Sequence, residues 1–130
     1  MKKIFNIYSK KVRNFFKQEF FKNTIVHWVL IASLFLNIIC WAILLFFVSP
    51  VDFPIILHYN VYFGVDIIGD WWQIYTLPLI GTVIFVINTV LGYVFFRHGE
   101  RIISYMLLLA TFMAQLSALI ATSSMVVINY

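Results

Sequence analysis

The chain is short of charge. Only 11% of its 130 residues are charged while 63% are hydrophobic, against about a quarter charged in soluble domains. So little charge excludes a soluble globule, whose surface it would not solvate, and leaves an integral membrane class. Cysteine is scarce too. Cys40 stands alone inside an apolar run, which excludes an internal disulfide and makes a poor metal site. It reads as a small packing residue. There is no GxSxG, no HExxH, no glycine-rich phosphate loop and no cysteine pair, so the familiar signatures of hydrolase, zinc-protease and nucleotide chemistry are missing. No repeat or low-complexity linker breaks the chain. From Ser49 to Phe96 there is no Lys or Arg. The length fits one domain.

The basic residues lie in two clusters. Lys2, Lys3, Lys10, Lys11, Arg13, Lys17 and Lys22 come first, and Arg97 and Arg101 share one short turn. Basic segments stay cytoplasmic, so both clusters are expected on that side of a bacterial inner membrane, with the N-terminus inside and the C-terminus outside. Residues 1–23 are expected to form a basic amphipathic helix. Ile4, Tyr8, Val12, Phe16 and Phe20 recur every four residues, while Lys3, Lys10 and Lys17 fall a heptad apart on another face. Such a helix suits a membrane surface, where anionic headgroups attract each Lys or Arg by about 1 kcal/mol. Nucleic acid also calls for a basic patch. These aromatics, however, are spaced to face lipid and the segment abuts an apolar run, so an anionic bilayer is the expected partner and nucleic acid is not.

Three apolar runs follow, making residues 24–130 a three-helix transmembrane domain with helices at about 24–48, 70–96 and 102–128. The first would reach about 37 Å at roughly 1.5 Å per residue, enough to cross a hydrocarbon core of about 30 Å with some tilt. Its length and long basic lead argue for an uncleaved anchor and against a signal peptide. His27 and Trp28 suit its cytoplasmic edge. Ser49-Pro50 stops it. Asp70 with Gln73 resembles a capping box that opens the second helix. Trp71, Trp72 and Tyr75 read as an interfacial aromatic belt, and Pro78 predicts a kink. Arg97-His98-Gly99-Glu100-Arg101 is a tight turn, with Gly99 at the left-handed position, so the second and third helices should lie antiparallel and adjacent.

Lipid is as apolar as leucine, so packing and polar contacts must join the helices. Ala110, Ala114, Ala118 and Thr122 form a small-residue ladder for close approach. Each helix carries one mid-span amide, Asn37, Asn88 and Gln115. The economical arrangement points all three inward as one network, since an unpaired amide in hydrocarbon is costly. A small polar pore would use the same amides, but no ionisable residue sits at that depth, which speaks against a transporter.

The loop at residues 49–69 joins the first two helices. With Asp52 and Asp66 in it and Asp70 just after, and no basic residue, it has the composition of an outside loop. His58, Asn60, Asp66 and Asp70 are its candidate reactive groups. A His with two carboxylates suits a divalent metal, but the spacing follows no metal motif. Each residue also has a plainer role: Asn60, Gly64 and Asp66 form turns, and Asp70 caps a helix. No metal or cofactor is expected. The stretch from Ile55 to Phe63 is apolar and rich in β-formers, so it should fold as a hairpin-like cap over the helix ends. Gly64 would make the turn, Tyr59, Tyr62 and Phe63 would pack on Trp71 and Trp72, and His58 and Asn60 would pin backbone groups. The fold class expected is therefore all-α integral membrane, with a short structured outer loop.

Pro54, His58, Asn60, Gly64, Asp66 and Gly69 follow the order P-x3-H-x-N-x3-G-x-D-x2-G, then come aromatics, Leu77-Pro78 and an apolar run containing Asn88. This pattern, over residues 30–96, resembles a bacterial membrane domain of unknown function that occurs in immunity proteins protecting producers of the sporulation-delaying toxin. The resemblance implies a small non-enzymatic membrane protein concerned with immunity or envelope signalling. Two other classes are an accessory subunit of a membrane complex, with a membrane-protein partner or a second copy on the alanine face, and a metal-dependent membrane enzyme built on His58, Asp66 and Asp70.

Overall fold

The computed structural model describes residues 19–130. Their elements are α1 (Glu19–Lys22), α2 (Thr24–Phe47), β1 (Ile55–Asn60), β2 (Gly64–Gly69), a 3-10 turn (Trp71–Tyr75), α3 (Thr76–Arg97) and α4 (Arg101–Asn129). Most of the expected helix over 1–23 lies outside the described residues, and with it Lys2, Lys3, Lys10, Lys11, Arg13 and Lys17.

Three helical stretches, Thr24–Phe47, Trp71–Arg97 and Arg101–Asn129, are long and apolar enough to cross a membrane. α4 is the central one. It packs along both α2 and α3, which touch each other far less. α3 and α4 are antiparallel because the turn between them is tight. Gly99, at φ +88°, ends α3. Glu100 N–H donates to Phe95 O at 3.0 Å and Gly99 N–H to Phe96 O at 3.2 Å, the two bonds of a Schellman motif. α2 and α4 run in the same direction: Val26 clusters with Leu108 at one end, Leu44 with Val126 at the other.

The seam of α4 differs from the alanine ladder. Its buried residues are Ser104, Leu108, Thr111, Gln115, Thr122 and Val126. Ala110 is exposed, Ala114 and Ala118 are half-buried, and only Thr122 of the ladder is fully covered. The reason is angular. A helix turns about 100° per residue, so a strict four-residue ladder drifts about 40° per step and leaves the contact face within three steps. Alternating threes and fours keeps the seam in place.

One further expectation is corrected. The fold is not all-α, because β1 and β2 form an antiparallel two-stranded sheet. The second helical stretch runs from Trp71 to Arg97, close to the expected 70–96, with its first turn 3-10 and α3 beginning at Thr76. Pro78 is then the third residue of α3. In the first turn a missing N–H costs no intrahelical bond, so the proline sits where a helix tolerates it.

At the Arg97–Arg101 end, α1 docks on the α3–α4 turn. Phe20 is 1% exposed and meets Phe21, Tyr93 and Phe96 edge-on at 5.0, 5.6 and 5.4 Å between ring centres. It was expected to face lipid; instead it is enclosed by protein. Asn23 caps α2 through Oδ1, and its Nδ2 donates to Tyr105 Oη at 3.0 Å. Glu19 and Arg101 are 4.0 Å apart and solvent-exposed, a pairing worth little by itself. Lys22 lies at the same end.

Candidate functional site: the hairpin and its seat

Each residue of the P-H-N-G-D-G pattern has a place in the hairpin. Pro54 immediately precedes β1 and is exposed. Asn60 Oδ1 accepts from Tyr62 N–H at 2.8 Å, an Asx turn that starts the reversal. Gly64 closes it at φ +82°, a left-handed conformation costly for any residue with a Cβ. A three-residue loop ended by left-handed glycine is a common hairpin connection. With Asn60 opposite Gly64, a regular ladder would set residue 58 opposite 66. The register slips locally, so that His58 faces Ile67, yet His58 Nδ1 and Asp66 Oδ2 still meet at 3.1 Å. Gly69 is needed for close approach. A Cβ there would collide with the Gln73 amide and stand 2.6 Å from Leu57 Cδ1.

The hairpin base is fastened on two sides. On one, Gln73 Oε1 accepts from Asp70 N–H at 3.1 Å, and Gln73 N–H donates to Asp70 O at 3.0 Å. The Asp70–Gln73 pairing thus forms as read, but it opens the 3-10 turn. On the other side, the Asn129 side chain imitates a neighbouring strand. Ile56 N–H donates to Asn129 Oδ1, and Asn129 Nδ2 donates to Ile56 O and Met125 O, all at 2.8 Å. Tyr130 adds a bond from its hydroxyl to Ser49 O at 3.0 Å. Burial, and then the neighbouring Tyr75, pushes the Tyr130 phenol above its usual range. Ile55 sits in a core with Leu44, Val48, Ile74 and Val126.

The tip is another matter. Tyr62 is 90% and Phe63 84% exposed, and Tyr59 is half-exposed. The expected packing of these rings on Trp71 and Trp72 does not occur at the tip; Leu57, further down the hairpin, shares the core fringe with Trp71 and Tyr75. His58 pairs with a side chain and not with backbone, whereas Asn60 does pin a backbone group. Among the described residues, no three His, Cys, Asp or Glu side chains gather as a metal site. His58 and Asp66 make a pair, and Asp70 does not join them.

The amides divide. Asn37 Nδ2 donates to Gln115 Oε1 at 3.1 Å and to Pro78 O at 3.2 Å. Gln115 Nε2 donates to Gly81 O at 2.7 Å. Thr82 Oγ1 lies 3.0 Å from Asn37 Oδ1 and 2.8 Å from Pro78 O, and it receives the Trp41 indole N–H at 3.5 Å. Asn88 is excluded. It is half-buried and its side chain makes no hydrogen bond among the described residues. Being seven residues past Gly81, it lies about 10 Å further along α3, below the level of the other two amides. Gly81 lets the amides in: a Cβ there would stand 3.0 Å from both.

Sequence reasoning missed Thr82, Trp41 and Asn129. Asn129 carried a signal, as a lone amide at the end of an apolar helix. Thr82 carried little, because a threonine in a lipid-facing helix usually bonds its own carbonyls.

No family model matches the chain, and neither a curated protein nor a solved structure matches it.

Proposed function

We propose that this chain is a small multi-pass protein of a bacterial inner membrane, without enzymatic activity, that holds its hairpin outside as a recognition element. The observation that carries the reading is the contrast within the hairpin. Its base is clamped by Asn129, Gln73 and the Ile55 core, while the tip Val61-Tyr62-Phe63 is held out almost fully exposed. Displayed aromatics on a fixed support suit contact with a partner, because they bring large area at low entropic cost. Polar residues of the loop have structural partners, Asn60 in the turn and His58 with Asp66, which favours this reading over a metal-dependent enzyme. Residues 30–96 resemble the immunity-protein domain in the same six positions that build the hairpin. Toxin immunity or envelope signalling is therefore the most concrete form of the proposal. Orientation follows from the basic clusters, with the Arg97–Arg101 turn inside and the hairpin outside.

The test is a photoreactive phenylalanine at Tyr62 in intact cells. A discrete protein or peptide adduct, absent when the probe is moved to Val86, is expected. Adducts to lipid alone at Tyr62 would overturn the recognition reading. An obligate subunit would instead bring a stoichiometric partner through mild detergent and crosslink along its helices.

A further inference from the structure

Among the described residues, two open grooves lie against the hairpin. The larger, about 480 Å³, is lined by Ile67, Leu77 and Met125 among other apolar side chains and by the polar His58, Gln73 and Thr76. The smaller, about 210 Å³, runs between β1 and α4 past Tyr59, Ala121, Ser124 and Ile128. His58 and Met125 line both, so the two are lobes on either side of one ridge. The larger falls in the range of about 300–1,000 Å³ usual for small-molecule sites.

We propose that this groove binds one glycerophospholipid with an amine headgroup, an acyl chain lying in the larger lobe and the ammonium against Asp66. The proposal rests on the membrane reading above. Three features commit the occupant. First, the lobes are mostly apolar and descend along the helices: Leu77 is six residues past Trp71, and Ala121 eight before Asn129. That is roughly 9–12 Å from the hairpin end, at about 1.5 Å per residue in helix. α4 is about 43 Å long, so its ends overhang a hydrocarbon core of about 30 Å and the lobe floors reach the level of the acyl chains. Second, the polar side chain common to both lobes is His58, and its partner beside the groove, Asp66, is acidic. His58 occupies one oxygen of Asp66 at 3.1 Å, and a carboxylate keeps further acceptor sites after one such bond. Third, no Lys or Arg occurs from Ser49 to Phe96. The rim offers nothing to a purely anionic headgroup and repels it.

The experiment uses the full-length protein in nanodiscs, with diazirine-tailed phosphatidylethanolamine or phosphatidylglycerol of identical chains. Adducts are mapped by mass spectrometry. Labelling at Leu77 and Met125 is expected to favour the amine lipid by roughly threefold, the scale of one partly exposed ion pair. Labelling at Val86, a lipid-facing control, should show no preference. Asp66→Asn should abolish the preference and leave the hairpin folded. Ile67→Trp, at an exposed strand position that tolerates bulk, should fill the larger lobe and remove most adducts at Leu77 and Met125 only. Equal labelling by the two lipids, adducts no denser than at Val86, or a retained peptide in the groove would each overturn the lipid site. Release of the protein from membranes by carbonate would instead overturn the membrane reading beneath it.

Discussion

At the scale of single residues, the fold is held by a few side chains that complete backbone patterns. Gly64 and Gly69 are present for different reasons, one for a left-handed turn and one for room beneath Gln73. Gly64→Val should therefore cost about 1–2 kcal/mol through the backbone alone, while Asp52→Ala should stay within about 0.5 kcal/mol. Unfolding in mild detergent, followed by tryptophan fluorescence, separates the two. The amides give a second prediction. Asn37→Leu and Gln115→Leu should each cost about 1 kcal/mol, and the double mutant should cost less than their sum, because they share a bond. Asn88→Leu should be close to neutral and add independently to either. Coupling between Asn88 and Gln115 as large as that between Asn37 and Gln115 would refute this division. The sequence showed that three mid-span amides had to be accommodated. It did not show which would meet, because that depends on the depth at which antiparallel helices pass. Depth is set by the hairpin and the Gly99 turn, not by position within each helix.

At the scale of elements, the hairpin was legible because turn chemistry is local. Asn60 and Gly64 specify a reversal within a few residues. The seat was not legible, since Asn129 reaches it from 73 residues away along the chain. The alanine ladder misled for a related reason. Small residues at fixed spacing do not reveal which face a neighbouring helix will cover, and a four-residue period drifts off that face. Asn129 is the element's most exposed dependency. Asn129→Ala should leave the three helices intact but release β1 from α4. Amide exchange at Ile56 should then rise, with little change at Leu108 or Gln115. Unchanged protection at Ile56 would show that the Ile55 core alone seats the strand.

At the scale of the whole molecule, three apolar helices keep a hairpin clamped by its base at one end and gather basic and aromatic residues at the other. Phe20, Tyr93 and Phe96 tie the described part of the N-terminal segment to the α3–α4 turn. This brings Lys22 to the same end as Arg97 and Arg101, as the charge pattern alone had implied. The central claim is that these helices cross the bilayer and present the hairpin outside. Cysteine accessibility in intact cells tests it most directly. With Cys40 replaced by Ala, single cysteines at Tyr62, Val86 and His98 are exposed to a membrane-impermeant maleimide. The account predicts rapid labelling at Tyr62, none at Val86, and labelling at His98 only after the membrane is opened. Labelling at His98 with protection of Tyr62 would contradict it.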